Sequence, residues 1–202
     1  MSGDTDDWRR PPKSSRERQC FHRLHDNRNR RGDSVGAAWL GRCRFWSLLV
    51  RSHKHLNLTG IRFIAMDLRG HGESDGPQAG FDLETFSRDV LSVGDHAGVR
   101  KFVLAAYSMS GRWSQWIACK FPDRVLGQIL IAPAPAGPLP LSDELLESWM
   151  RDTRTRQSFE PWVNQFTSEP LSDEIIDAYF NDVSRASDKA KRETFRMEKV
   201  AA

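Results

Sequence analysis

The sequence contains no apolar stretch approaching the roughly 18 residues that a membrane-spanning helix needs, so a membrane protein built on such a helix is excluded. Cysteine is scarce. Cys20, Cys43 and Cys119 form an odd, widely spaced set that makes neither a disulfide framework nor a paired-thiol metal site. They read as packed thiols in a reducing compartment. A large charge excess is also lacking. The 30 lysines and arginines against 27 aspartates and glutamates leave a net charge of +3, which argues against a dedicated nucleic-acid binder. The first residues, Met1-Ser2-Gly3-Asp4-Thr5-Asp6-Asp7-Trp8, have no apolar segment and no secretory pattern, so a cytoplasmic protein is expected. Histidine is missing from the whole second half: His22, His25, His53, His55, His71 and His96 are all there are.

What is present is a chain of 202 residues with 28% charged and 39% hydrophobic residues, polar for a globular protein but not disordered in composition. Its character changes twice. Residues 1–34 are dense in arginine, with Pro11-Pro12 and Arg28-Asn29-Arg30-Arg31, and hold little to bury beyond Trp8, Phe21 and Leu24. They read as a mobile basic arm able to touch phosphates. Residues 35–60 are ambiguous. Phe45, Trp46, Leu48, Leu49 and Leu56 fit one helical face, closed by Thr59-Gly60.

From residue 61 to 133 the pattern is clear. Apolar runs at 61–66 and 101–106 read as buried strands, and the run at 128–132 as a third strand. Between them, residues 81–96 carry Leu83, Phe86, Val90, Leu91 and Val93 at helical spacing, and residues 113–121 form a second helix. Strand, helix, strand, helix, strand predicts an α/β fold with a parallel sheet and right-handed crossovers. Residues 138–202 hold helices and no strand. Pro140-Leu141-Ser142-Asp143-Glu144 and Pro170-Leu171-Ser172-Asp173-Glu174 each place a serine cap before acidic residues in a first helical turn. A charged helix is expected over 188–198.

The feature that bears chemistry is Ala106-Tyr107-Ser108-Met109-Ser110-Gly111, directly between a strand and a helix. A nucleophilic serine needs a rigid support, a backbone that tolerates a strained turn, and an N–H aimed at the developing oxyanion. A sharp strand-to-helix turn supplies all three. The residues two before and two after the serine must be small, and here they are Ala106 and Ser110, a relaxed G-x-S-x-G. The competing reading makes Ser108 an ordinary helix cap. The other notable loop is Asp67-Leu68-Arg69-Gly70-His71-Gly72-Glu73-Ser74. It fails as a dinucleotide fingerprint because no third glycine opens a helix. His71 is expected to hold this turn by hydrogen bonding, and His96 to lie on the surface.

With these two motifs in this order, the sequence resembles the α/β-hydrolase family, in particular its capped, single-domain serine hydrolases. The glycine loop looks like the one after the family's fourth strand, and Tyr107-Ser108-Met109-Ser110-Gly111 looks like its nucleophile elbow. The resemblance implies a partial α/β-hydrolase sheet with flanking helices over 35–137 and a helical cap segment over 138–202. It implies Ser108 as nucleophile, the Met109 backbone N–H as oxyanion donor, no cofactor and no metal. Small ester, lactone, thioester or related substrates follow, with Trp149, Trp162, Tyr179 and Phe180 walling the pocket.

The family's order continues with an acid and then a histidine, and neither is identifiable after Ser108. At the front, Ala37-Ala38 fall where the family has His-Gly, and the preceding strand is replaced by Arg28 to Ser34. The chain is therefore expected to be incomplete at both ends and impaired as an enzyme, with exposed sheet edges open to self-association. The alternative is a non-catalytic ligand-binding or scaffold protein of the same fold. A nucleic-acid role rests on residues 1–34 alone and ranks last.

Overall fold

The computed structural model describes the backbone of Leu24–Asp26, Val35–Gly41 and residues 61–199, with side chains over 62–199. Five strands form one sheet: β1 (Leu24–Asp26), β2 (Val35–Gly41), β3 (Ile61–Asp67), β4 (Phe102–Tyr107) and β5 (Val125–Ile131), in spatial order β1-β3-β2-β4-β5. All neighbours run parallel except β1, which is antiparallel to β3. The helices described are, in chain order, α1 (Leu83–His96), α2 (Met109–Lys120), α3 (Asp143–Asp152), α4 (Arg156–Asn164), α5 (Asp173–Ser184) and α6 (Asp188–Lys199). The α/β class and the parallel sheet are as the sequence predicts.

Two expectations at the front change. Three residues of the expected arm, Leu24–Asp26, are a strand paired with Ile64–Met66. The segment Val-Gly-Ala-Ala-Trp-Leu-Gly is itself a strand, lying between β3 and β4 and bonded to both. Its weak strand composition hides it, and pairing on both sides overrides that preference. Ala37 and Ala38 therefore sit mid-strand, opposite Val103 and Leu104, and Leu40-Gly41 occupy the strand end. The remainder of the arm, the helix expected around 45–56, and Cys20, Cys43, His22, His53 and His55 lie outside the described residues or side chains.

The main core fills the space between the sheet and α1 with α2. Phe86 and Trp113 stack at 4.6 Å between ring centroids, and Phe86, Phe102, Leu104 and Ile117 are all at most 1% exposed. Full burial of each such side chain stabilises the fold by about 1.5–3 kcal/mol. Asp82 caps α1 by accepting from Thr85 N at 2.8 Å. Gly98, with φ of +69°, turns the chain toward β4. Helix α2 starts at Met109, ahead of the predicted start at Trp113, because the turn at Ser108 leads straight into it.

Helices α3 to α5 carry two smaller cores, one around Leu146, Trp149 and Met150 and one around Phe159, Val163 and Ile176. Ser142 caps α3 as expected, accepting from Leu145 N at 3.2 Å. Ser172 occupies the same position before α5 but makes no side-chain cap bond. Helix α6 joins two cores: its Met197 enters the main core with Trp113 and Ile117, while Phe195 stacks on Trp149 of α3. Cys119, expected to be packed, is exposed near the end of α2. Among the described residues no helix is long and apolar enough to cross a membrane.

Candidate active site

Parallel strands carry their next connection from the carboxyl end, so groups that follow β2, β3 and β4 gather at one edge of the sheet. Gly41 pairs with Asp67, and Leu40 pairs with both Met66 and Ala106. Ser108 is the first residue beyond β4 at that edge. Its backbone has φ 54° and ψ −126°, a region that non-glycine residues rarely adopt and that persists only where neighbours hold it.

The holding contacts are specific. Ser108 N donates to Ile131 O at 3.1 Å, and Ser108 O accepts from Gly111 N at 2.9 Å and from Ala134 N at 2.8 Å. Ser110 Oγ accepts from Tyr107 N at 3.0 Å and donates to Tyr107 O at 2.7 Å, so the hydroxyl at this small position stitches the turn. Gly111 is obligatory for a different reason: a Cβ there would stand 2.5 Å from Pro133 Cβ. The Ser108 side chain makes no cap bond to α2. Ser108 is half-buried and Ala106 fully buried. Met109 N–H belongs to the first turn of α2, whose N–H groups have no partner within the helix. Burial pushes the neighbouring Tyr107 phenol above its usual range.

The glycine loop forms the adjoining wall. Asp67 accepts from Glu73 N at 3.0 Å, and Ser74 Oγ donates to Asp67 O at 2.7 Å. Gly70, with φ of +73°, donates its N–H to Asp75 O at 2.7 Å. Arg69 grips Asp89 of α1 through two bonds of 2.6 Å. His71 is buried with Nδ1 2.9 Å from Arg69 O; a carbonyl can only accept, so Nδ1 carries the proton. This is the turn-holding role expected of it. His96 is exposed at the end of α1, also as expected.

The aromatics named for the pocket wall pack on other rings. Trp149 is buried against Phe195, and Phe159 gathers Trp162, Tyr179 and Phe180 at 5.1–5.7 Å between centroids. Sequence reasoning misses Arg112, Trp113 and Glu198, which form a buried polar cluster directly behind the turn. Nothing in the sequence links positions 85 residues apart.

Comparison with known proteins agrees with this fold. The family described as "alpha/beta hydrolase fold" matches residues 44–196. A 3-oxoadipate enol-lactonase 2 from Acinetobacter baylyi is 33% identical over 69 residues, 34% of this chain and 26% of that protein. A 2-succinyl-6-hydroxy-2,4-cyclohexadiene-1-carboxylate synthase from Yersinia enterocolitica is 34% identical over 132 residues, 64% of this chain and 44% of that protein. Among solved structures, an esterase from Exiguobacterium antarcticum superposes with a TM-score of 0.73 at 18% identity, covering 89% of this chain and 70% of that one. The protein belongs to the α/β-hydrolase fold family. The chain spans less than half the length of the curated relatives it matches.

Proposed function

We propose that the protein acts on small ester-like substrates, such as esters, lactones or thioesters, through Ser108 as nucleophile. Its hydroxyl attacks the acyl carbon, and the Met109 N–H at the start of α2 stabilises the oxyanion that forms. The observation that carries this reading is the strained Ser108 backbone, held by three main-chain bonds while its side chain caps nothing. A family that includes an esterase and an enol-lactonase supports the substrate class. The helical segment 138–202 would act as the cap over the site. The proposed compartment is the cytoplasm, on the sparse cysteines and the free thiol of Cys119, and no cofactor or metal enters the proposed reaction.

Attack by a serine hydroxyl needs a base, and no histidine follows Ser108 in this sequence. The alternative reading is a ligand-binding protein that uses the same edge of the sheet without turnover. An organofluorophosphonate separates the two. Covalent labelling of the chain that disappears in Ser108→Ala supports the nucleophile. No labelling, together with saturable binding of short carboxylic acids, supports the binding protein.

A further inference from the structure

Arg112, Trp113 and Glu198 join the turn at Ser108 to the last helix described. Trp113 Nε1 donates to Glu198 Oε1 at 2.7 Å. Arg112 Nη1 donates to Met197 O at 3.0 Å, and Arg112 Nε donates to Ala136 O at 3.3 Å. The guanidinium stands 3.9 Å from Glu198 Oε2, and neither side chain is more than 1% exposed. Desolvation makes an ion pair so deeply buried a weak source of stability by itself, and this one stands one helical turn from Ser108.

The segment that Arg112 grips at Ala136 is also the one that holds the turn. Ala134 N donates to Ser108 O, Gln115 Nε2 donates to both Ala134 O and Gly111 O at 3.0 Å, and Pro133 lies against Gly111. Residues 132–136 are thus pinned on one side by the Ser108 turn and on the other by the guanidinium. The guanidinium is in turn oriented by α6 through Met197 O and Glu198.

We propose that Arg112 and Glu198 are positioning residues that hold the Ser108 backbone in its strained conformation from behind, so that α6 sets the geometry of the site. The assignment rests on the proposed role of Ser108, but the turn itself can be probed without it. The fork of Arg112 is what matters, because it reaches Ala136 O and Met197 O at once. A compact ammonium neutralises Glu198 without bridging both carbonyls.

The test places Arg112→Lys and the double variant Arg112→Met with Glu198→Gln in a Ser108→Cys background. Alkylation of the thiol introduced at position 108 by iodoacetamide is followed by peptide mapping, which separates it from Cys20, Cys43 and Cys119. Both variants keep the net charge of the buried pair at zero, so the thiol sees no change in formal charge. Far-UV circular dichroism and thermal unfolding confirm the fold. The expected result is alkylation at neutral pH slowed about tenfold or more, with its pH midpoint raised as the thiolate leaves the end of α2. The overturning result is a rate within about twofold of the Ser108→Cys parent, as charge compensation alone would give. Fluorophosphonate labelling of the Ser108 forms runs beside it. If Ser108 itself never labels, the hydrolase reading fails while the alkylation rates in the Ser108→Cys background still decide the positioning role.

Discussion

At the scale of the residue, chemistry and strain meet at one turn. Ser108 carries φ 54°, and Gly111 gives Pro133 the room to close over it. Gly111→Ala must displace Pro133 or the turn, and is expected to destabilise the fold by about 1–3 kcal/mol, measured as a lower urea midpoint. Glu198→Ala takes away the carboxylate beside the buried Arg112 guanidinium; the expected loss is about 3–5 kcal/mol, read by the same unfolding curves. Tyr107 gives a pH signature. Burial raises its folded pKa above the unfolded value, so its contribution to stability is complete below about pH 10 and is lost as pH rises through the folded value. Tyr107→Phe should therefore flatten the alkaline fall in thermal stability, and an unchanged alkaline limb would contradict it.

At the scale of the element, the helices beyond β5 depend on caps and on charges at their seams. Thr155 Oγ1 accepts from Ser158 N at 3.1 Å while Ser158 Oγ accepts from Thr155 N at 3.3 Å, closing the start of α4. Thr155→Ala should lower stability by about 1 kcal/mol, measured by chemical denaturation. Asp143 pairs with Lys199 and Glu147 with Arg192, and these bonds hold both carboxyls below their usual range. Depressed carboxyl values stabilise the docked α3–α6 pair above their unfolded values and lose that effect as pH falls through the folded ones. Hydrogen exchange in α3 should therefore rise below about pH 4, sooner than exchange in α1.

At the scale of the whole molecule, β5 is the outermost strand on its side of the sheet among the described residues, and its Leu126 and Ile129 are 55% and 53% exposed. The strand carries no charge and no proline to discourage pairing. We expect concentration-dependent self-association in sedimentation velocity, relieved by Ile129→Lys without loss of thermal stability. A monomer at all concentrations with a sharp, cooperative unfolding transition would remove the idea.

The parallel α/β order, both helices flanking the core, the glycine loop and the Ser108 turn are all legible in the residues. Each is local: apolar runs of strand length, helical spacing, and small residues around a serine. His71 as a turn-holder and His96 on the surface are legible for the same reason. Other features are decided only by tertiary structure. The strand Val35–Gly41 is poor in strand formers and exists because β3 and β4 bond it on both sides. Trp149 packs on Phe195, because helices brought together bury rings on one another. The clasp of Arg112 and Glu198 joins α2 to α6 across 85 residues and has no local signal at all. Sequence alone determined where the chain turns and which apolar runs form β3, β4 and β5, while the exposure of Leu126 and Ile129 on β5 was decided by tertiary structure. Tertiary packing decided which distant charges meet behind Ser108, because the burial that binds them exists only in the folded state.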